Sequence, residues 1–340
     1  MKIGIQKSNK GFSTFWIKYC EKAQIPYKIV DCYANDILKQ LEDCDGLMWH
    51  HHQGDYRDLL FAKSLLFSLE QSGKKVFPDF NTAWHFDDKA AQKYLLESLG
   101  APTVPSYVFY DKKSALKWIN ETTFPKVFKL TGGAGSANVK LIKNKAQAVK
   151  LVNKSFGKGF RQYDIWTGLK ERLYKFRSGK GSFKSVLGGI YYIFKPYEFI
   201  KMARREKGYF YAQEFIPNND SDIRIIVVKD KAFAIKRMVR KNDFRASGSG
   251  EILYAKENFS DETLKISFEV SKKMKSQSAA FDFVYDEDGN PLLVEVSYGF
   301  NSVGYDDCVG YWNNDLSFVE GSFNPYNWMV ENLIKSIDEK

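Results

Sequence analysis

The chain has 340 residues, a formal net charge of +10 and 44% apolar residues. This length exceeds one compact core of ordinary size and indicates two or three domains. The sequence has no run of about 18 apolar residues, which excludes a membrane-spanning helix, and its first residues lack the apolar stretch of a signal peptide. We therefore expect a cytoplasmic protein.

Residues 1–85 alternate short apolar strands with helical stretches, which is typical of a doubly wound α/β domain. Ligands bind beyond the carboxyl ends of strands in such sheets, and the residues WHHHQG at 49–54 follow the third predicted strand. His50, His51 and His52 cannot all face one metal, because neighbours on a strand alternate sides. Substrate contacts or surface exposure are therefore favoured over a metal site.

The four cysteines, Cys20, Cys32, Cys44 and Cys308, have neither a CxxC spacing nor histidines at zinc-ligand spacing. This pattern argues against a structural zinc site and against a disulfide framework. A free cysteine behaves as a small apolar side chain, so we expect all four to be buried.

Residues 86–153 form a second predicted unit, which begins with a helix that Asp87 or Asp88 can cap. Further on, the strand KVFKL leads into the glycine-rich loop TGGAGSAN at 131–138 and then into the strand VKLI. Glycines let backbone N–H groups approach phosphate oxygens closely, but the loop lacks the spacing of the Walker and dinucleotide motifs. Phosphate binding and a flexible hairpin tip both remain open for it.

The net charge is concentrated in residues 154–207, where fourteen Lys and Arg residues stand against four Asp and Glu residues. Helical stretches here interleave the cations with aromatic residues, so we predict a basic, largely helical insertion. Such a surface attracts polyanions, for example a nucleic acid, an anionic glycan or a phosphorylated substrate. The alternative is a solvated helical face, and the sequence shows no specific nucleic-acid motif.

The stretch at 281–301 is predicted to be a β-hairpin, because two runs of β-formers flank the turn residues DEDGN. A two-residue loop and a four-residue loop give the same register, which places Asp282 opposite Glu295. Strand alternation then predicts two faces. The first face has Phe281, Phe283, Tyr285, Leu292, Val294 and Val296, and the second has Ala280, Asp282, Val284, Leu293, Glu295 and Ser297.

Two carboxylates directly opposite each other repel, and a buried carboxylate needs a partner. We therefore expect a positive group between Asp282 and Glu295, and a hard divalent cation such as Mg²⁺ fits best. The alternative is an exposed hairpin whose two acids are solvated.

The order of motifs from residue 209 onward carries a family resemblance. YFYAQEFI is followed by NNDSDIRIIVV, a Lys-Asp-Lys turn, the strand AFAIKRM, the loop VRKNDFRASGSG and then the carboxylate hairpin. With Lys129 and the glycine loop, this order resembles the ATP-grasp superfamily, most closely the branch of ribosomal-protein glutamate ligases and glutathione-synthetase-like enzymes. The resemblance covers about residues 85–300.

The resemblance implies an ATP-grasp fold, which combines α/β and α+β architecture. It divides the chain into a Rossmann-like preceding domain, the first part of a lid, the basic helical insertion and a C-terminal catalytic sheet with the metal site. The predicted bounds of these four parts are 1–85, 86–153, 154–207 and 208–340.

The resemblance also implies which residues contact ATP. Two lysines and the glycine loop would meet the phosphates, a hinge would read the adenine edge with its backbone, and one acid would lie near the nucleotide. These residues are Lys89, Lys129, Gly132, Gly133, Gly135, Ser136, Gln213, Glu214, Phe215 and Asp222.

Asp282 and Glu295 match the Mg²⁺ carboxylates of this family, so ATP and Mg²⁺, with Mn²⁺ as a substitute, are the implied cofactors. The family pattern has an Asn two residues after the Glu, whereas this chain has Ser297. A hydroxyl is a poorer ligand than an amide carbonyl. A second Mg²⁺ would therefore bind weakly or recruit Asn301.

The implied function is a ligase that joins a carboxylate to an amine through an acyl-phosphate and releases ADP. Arg245 matches an arginine that meets the γ-phosphate and the acyl-phosphate, and Lys236 or Arg237 is predicted to hold the substrate carboxylate. Two alternatives remain: an ATP-grasp kinase that phosphorylates a small molecule, and a non-catalytic protein that binds a nucleotide or a polyanion.

The expected partners are a small-molecule carboxylate and an amine, and the oligomeric state is open. Aromatic residues near the C-terminus predict either a stacking wall for a sugar or peptide or an ordinary core. Together with the basic insertion, a stacking wall favours an anionic glycan such as a uronic-acid polymer as the acceptor. These aromatic residues are Tyr305, Tyr311, Trp312, Phe318, Phe323, Tyr326 and Trp328.

Overall fold

The structure, a computed structural model, describes most of the chain. The described residues are 1–8, 11–132, 138–161, 168–169, 172–173, 176–177, 179, 181–194, 202, 205–240, 243–246 and 250–339. The predicted loop residues Gly133, Gly135 and Ser136, and most of the predicted basic insertion, lie outside them. None of the described helices combines the length and the hydropathy that a membrane crossing requires.

The first part of the chain folds around a parallel sheet of four strands in the order β2-β1-β3-β4. Its apolar strands are short, and helix α3 packs against one face of the sheet. The elements are β1 (Ile3–Gln6), α1 (Ser13–Lys22), β2 (Tyr27–Val30), α2 (Ile37–Gln40), β3 (Gly46–Met48), a π-helical turn (Asp58–Ala62), α3 (Lys63–Gln71), β4 (Lys75–Phe77) and α4 (Phe80–Ala83).

A second, antiparallel sheet has the strand order β5-β10-β6-β7, and two short strands, β8 and β9, pair separately. The elements are α5 (Lys89–Ser98), β5 (Ser106–Phe109), α6 (Lys112–Glu121), β6 (Lys126–Lys129), β7 (Lys140–Ile142), α7 (Lys145–Ser155), β8 (Phe160–Arg161), α8 (Phe183–Phe194), β9 (Arg205–Glu206) and β10 (Phe210–Glu214). Strand β10 pairs with both β5 and β6, so the predicted boundary at residue 208 falls between strands of one sheet. The four-part division stays a prediction.

The third sheet has seven strands, in the order β15-β14-β11-β12-β16-β17, with β13 paired to β12. All of its pairs are antiparallel. The elements are β11 (Ser221–Val228), β12 (Lys231–Met238), β13 (Ile252–Leu253), a 3₁₀ turn (Lys256–Asn258), α9 (Asp261–Met274), β14 (Ser278–Tyr285), β15 (Pro291–Ser297), β16 (Gly310–Asn313), β17 (Phe318–Glu320) and α10 (Pro325–Asp338).

Local sequence signals set the helix ends. The side chain of Asp88, not Asp87, accepts the backbone N–H groups that open α5, and Gly100 adopts a positive φ of 66° just beyond the end of this helix. The patterns above predict neither α9 nor α10, although both have polar caps. Ser260 caps α9 and Asn324 caps α10, immediately before the proline that opens that helix.

Helix α10 joins the first and third sheets into one core. Its residues Met329 and Leu333 belong to the same buried apolar cluster as Ile5 of β1 and Phe233 of β12. Because this core is shared, the two sheets hold a fixed relation to each other, and the loops at their edges form stable walls for the space between them.

Candidate functional site

A cavity of about 980 Å³ lies where the three sheets meet. Its walls come from the ends of strands and from loops of all three sheets, and its volume is at the upper end of ordinary ligand pockets, about 300 to 1,000 Å³. The charged residues that line it are Asp87, Lys89, Lys129, Glu214, Asp222, Arg224, Arg237, Arg245, Asp282 and Glu295.

The carboxylate hairpin is formed by β14 and β15, and the predicted register at its centre is confirmed, because Asp282 pairs with Glu295. The predicted faces are wrong at three positions, Leu292, Leu293 and Val294. A β-bulge follows this pair, and beyond it Phe283 pairs with Leu293, so Val294 is the extra residue. As a result Leu293 enters the core and Val294 lines the cavity, the reverse of simple alternation.

Arginines from two neighbouring strands supply the positive charge that the hairpin requires. The Arg224 guanidinium donates to both oxygens of Asp282 at 2.6 Å, and Arg237 lies 3.1 Å from the same carboxylate. Arg237 in turn donates to both oxygens of Asp222 at 2.6 Å. Four alternating charges therefore run across β14, β11 and β12, in the bidentate geometry that favours arginine.

This network keeps Asp282 ionised although it is buried. Burial disfavours the carboxylate, but the guanidinium groups of Arg224 and Arg237 outweigh this effect and hold the pKa of Asp282 well below its ordinary value. Asp222 is different, because burial outweighs its arginine and raises the pKa of its carboxyl group.

Glu295 and Ser297 complete the polar edge of β15. The Nζ of Lys89 lies 3.3 Å from a carboxylate oxygen of Glu295, and Lys89 is buried, whereas about a third of the Glu295 side chain is exposed. The Ser297 hydroxyl donates to the carbonyl oxygen of Gly299 at 2.8 Å. Both predicted ligands therefore line the cavity with an existing partner.

The oxygen atoms on this edge fit a hard divalent cation with one displacement. Asp282, Glu295 and Ser297 offer two carboxyl groups and a hydroxyl to one cavity, which is the ligand chemistry that Mg²⁺ prefers. The Arg224 guanidinium must leave Asp282 before a cation can bind there. Among the described residues, no cluster of three or more His, Cys, Asp or Glu side chains forms a metal site.

Lys129 is a buried cation of the cavity. Only 6% of the residue is exposed, and its Nζ donates to the side-chain oxygen of Gln213 at 2.6 Å. Burial lowers the pKa of Lys129 to about 8, although Glu295 opposes this shift. The ammonium is therefore charged at neutral pH, although burial disfavours its charge. A second anion in the cavity would stabilise this charge.

The predicted hinge residues Gln213, Glu214 and Phe215 all line the cavity. The carboxylate of Glu214 is already paired with Lys126 at 2.7 Å, and the backbone N–H of Glu214 donates to the carbonyl oxygen of Pro105 at 2.9 Å. Gly132 lies outside the cavity lining, and its N–H donates to Glu206 at 3.4 Å.

The structure separates the predicted substrate cations. Arg245 and Arg237 line the cavity, and Arg245 pairs with Asp243. Lys236 does not line it, because it precedes Arg237 on β12 and successive strand residues point to opposite faces. Of these two candidates for the substrate carboxylate, Arg237 alone lines the described cavity, and the role of Lys236 stays a prediction.

Arg224, the partner of Asp282, was not among the predicted site residues. A signal was present in the motif SDIR, because Asp222 and Arg224 are two residues apart on one strand and so share a face. Among the histidines, His50 and His52 line the cavity, whereas His51 is buried beside Tyr298.

The C-terminal aromatic residues form a core and not a stacking wall. None of the seven lines the cavity. Tyr305, Tyr311, Phe323, Tyr326 and Trp328 pack in the cluster around α10, and Trp312 and Phe318 pack in the cluster beneath α9.

The four cysteines are all buried and free, as predicted. Their small side chains pack with apolar neighbours in the core.

Several solved structures share the fold of this chain over nearly their whole length. They include D-alanine–D-alanine ligase from Bacillus anthracis, with 15% identity, a TM-score of 0.55 and coverage of 100% of this chain and 99% of that one. They also include the RimK domain ATP-grasp protein of Sphaerobacter thermophilus, with 13% identity, a TM-score of 0.55 and coverage of 98% and 100%. The chain therefore has the ATP-grasp fold.

A third similar structure is the ATP-grasp ligase PsnB in complex with a minimal precursor, Mg and ADP, with 12% identity, a TM-score of 0.56 and coverage of 99% and 98%. Residues 200–309 match the family model of the RimK-like ATP-grasp domain. No curated protein sequence matches the chain. The predicted relation to the ATP-grasp superfamily is confirmed, and the matched segment spans the arginine network and the carboxylate hairpin.

Proposed function

We propose that this chain is an ATP-dependent ligase that activates a carboxylate as an acyl-phosphate, joins it to an amine and releases ADP and phosphate. The observation that carries the proposal is the cavity, in which two opposed carboxylates, Asp282 and Glu295, stand among buried lysines and arginines. Five lysine and arginine side chains line this cavity, and such cations attract the phosphates of a nucleotide. The PsnB ligase, whose structure holds Mg and ADP, has the same fold.

The lysines and arginines would hold the reacting anions. Lys89 and Lys129 would bind ATP phosphates, and the 213–215 segment would face the base. Arg245 would stabilise the oxygens of the transferred phosphoryl group, where charge develops in the transition state. Arg237 would position the substrate carboxylate with a bidentate contact. Restriction of both reactants in one cavity supplies a large part of the rate enhancement.

Asp282, Glu295 and Ser297 would hold Mg²⁺, or Mn²⁺ in its place. When bound, the cation neutralises charge on the β- and γ-phosphates. Asp282 is ionised at neutral pH and so is ready to act as a ligand. Its present partner, Arg224, would then be released toward the phosphates.

The substrates are proposed only by class, as a carboxylate and an amine of small-molecule or peptide size. The aromatic wall that favoured a glycan is absent from the described cavity. A uronic-acid polymer stays a candidate on the charge of residues 154–207 alone.

The test is to incubate the protein with ATP, Mg²⁺ and pools of L-amino acids and uronic acids. ADP and inorganic phosphate are quantified, and condensation products are sought by mass spectrometry. Asp282→Asn is the inactive control, and Asp288→Asn, an exposed change in the turn of the same hairpin, is the matched active control.

A condensation product formed together with ADP and phosphate supports the ligase. ADP with a phosphorylated product and no inorganic phosphate identifies a kinase instead. Failure to bind ATP with Mg²⁺ in calorimetry overturns both, and then a polyanion-binding role has to be considered.

A further inference from the structure

Two segments that are far apart in sequence line the cavity without any formal charge, and together they are here called the neutral end. From the first sixty residues, Gly11, Thr14, Phe15, His50, His52 and Gln53 line it. The loop 299–303 lines the same space. Every Lys, Arg, Asp and Glu in the described lining comes instead from residues 87–295. Hydrogen bonding and aromatic contact, and not ion pairing, are therefore the chemistry of this end.

His50 and His52, here called the histidine pair, are both fixed in one tautomer. The backbone N–H of Phe12 donates to Nδ1 of His50 at 3.2 Å, and that of Gly54 donates to Nδ1 of His52 at 3.0 Å. A backbone N–H can only donate, so each neutral imidazole must carry its proton on Nε2. The two rings, 6.5 Å apart between centroids, each offer an Nε2–H.

Three glycines make room for these rings. A Cβ atom on Gly299 would lie 3.0 Å from Nε2 of His50, and one on Gly54 would lie 2.8 Å from Nδ1 of His52. A Cβ on Gly11, whose φ is 137°, would overlap Nδ1 of His50. The imidazole of His50 also stacks on the Phe12 ring, with 3.7 Å between the two ring centroids. The rings are thus held in place before any ligand arrives.

The Nε2–H groups lack partners among the described residues. His50 is 9% exposed, and its only hydrogen bond there is the one that its Nδ1 accepts. Leaving a nearly buried donor without an acceptor costs stability. Burial also lowers the pKa of His50 to about 3, so the ring is neutral at physiological pH. A ligand oxygen would satisfy the Nε2–H, whereas a metal ion would find no lone pair on it.

We propose that the histidine pair binds an oxygen of the amine substrate, a carboxylate or carbonyl group that is separate from the nucleophilic nitrogen. This inference rests on the proposed function, because the cations of the other end are taken by phosphates and by the carboxylate to be activated. The neutral end has no described acid to hold an ammonium group. The oxygen end of the amine substrate therefore docks here, and its nitrogen is directed toward the charged end.

The neutrality of the histidine pair also explains how two anionic ligands could be sorted in one cavity. A polyphosphate gains most from lysine and arginine, whereas a neutral N–H donor offers it far less. A singly charged carboxylate or an amide carbonyl accepts well from either. The histidine pair would therefore bind the second substrate in preference to the phosphates of ATP.

The first test is NMR of the full chain labelled with ¹⁵N-histidine, because the sequence has only four histidines. His50→Phe and His52→Phe assign the signals. We expect both imidazoles to show the Nε2–H tautomer. Addition of an L-amino-acid pool should shift the Nε2 signals of His50 and His52 and leave His51 and His85 unmoved as internal controls.

A second pool, of the matching amino-acid amides, distinguishes the two oxygen sources. Shifts with the free acids alone identify a carboxylate, and shifts with both pools identify a carbonyl. The absence of shifts with both pools, or an Nδ1–H tautomer at either histidine, overturns the proposal. ATP binding is measured in the same samples by calorimetry, so loss of the histidine response with intact ATP binding counts against this subsite alone.

Kinetics provide an independent test once an amine substrate is known. His52→Phe removes the donor, and His52→Gln restores an N–H donor on a side chain of similar reach. We expect the first change to raise the KM for the amine about tenfold, the effect of one lost hydrogen bond, with the KM for ATP unchanged and partial rescue by Gln. An equal rise in both KM values would indicate a merely structural role and would overturn the proposal.

Discussion

The two ends of the cavity hold their polar groups in different ways. At the charged end, Asp282, Arg224, Arg237 and Asp222 neutralise one another within a few ångströms. At the neutral end, the histidine pair is held by backbone N–H groups and keeps its Nε2–H donors without described partners. At the charged end the ionic groups already have partners, so a ligand must displace some of these contacts. At the neutral end the Nε2–H donors can meet a ligand without such a displacement.

The two ends should therefore respond differently to substitution. Breaking one buried ion pair leaves its partner charged and desolvated, which affects both stability and ligand binding. Removing a neutral N–H donor of the histidine pair leaves no buried charge without a partner. Substitutions at the charged end should therefore have the larger effects, and they are ordered below by expected size.

The largest effect is expected from Asp282→Asn. With the charge of this proposed metal ligand removed, ATP turnover should fall about 1,000-fold, which corresponds to about 4 kcal/mol of transition-state stabilisation. Steady-state ADP release measures it, and Asp288→Asn in the exposed turn should remain near wild type. Turnover within tenfold of wild type in Asp282→Asn would refute the metal role.

The next effect is on folding. Arg224→Gln removes the guanidinium that donates to both oxygens of Asp282. The free energy of unfolding should therefore fall by about 3 kcal/mol. Arg57→Gln, which breaks the largely exposed pair with Asp55, is the matched control and should cost less than about 1 kcal/mol. Urea denaturation measures both variants. Equal losses would show that the buried network has no special stability.

Lys129→Met should weaken ATP binding and yet stabilise the free protein. The folded pKa of about 8 lies below the ordinary lysine value of 10.5. Below pH 8 the buried ammonium therefore costs stability, and this cost disappears as the pH rises from about 8 to 10.5. Methionine should raise the free energy of unfolding by about 2 kcal/mol at pH 7.

The pH dependence provides the check on Lys129→Met. Denaturation at pH 7 and pH 10 should show the advantage of methionine shrinking at the higher pH, while calorimetry shows ATP affinity reduced about tenfold or more at pH 7. Lys129→Arg is the charged control and should show no such gain. An advantage that grows with pH would contradict the buried, weakly held ammonium.

The smallest effect is expected from Ser297→Asn, which restores the amide that the family pattern has at this position. Affinity for Mn²⁺ in the presence of ADP should rise about tenfold, roughly 1.4 kcal/mol. Ser297→Ala separates the two roles of the hydroxyl. If Ala leaves metal affinity unchanged, Ser297 only fastens the turn at Gly299, and electron paramagnetic resonance of bound Mn²⁺ measures this directly.

Much of the charged end could be predicted from local sequence patterns. Turn residues and β-formers predicted the hairpin and the opposition of Asp282 and Glu295, because the register of a short hairpin is set by its own turn. The order of motifs predicted the ATP-grasp fold. Alternation failed only where the bulge at Val294 inserts one residue, and an extra residue of this kind has no reliable signature in the apolar pattern.

The hairpin residues, the burial of the cysteines and the family resemblance could be predicted from the sequence alone, because these depend on neighbours along the chain. The tertiary structure was needed to show that Arg224 meets Asp282, that Lys236 faces away from the cavity, and that the C-terminal aromatic residues pack in the clusters around α9 and α10. It also decided the tautomer of His50, through an N–H from the start of α1. Such contacts join segments tens to hundreds of residues apart, and the pairing of strands and helices that creates them is fixed by the packing of the whole core.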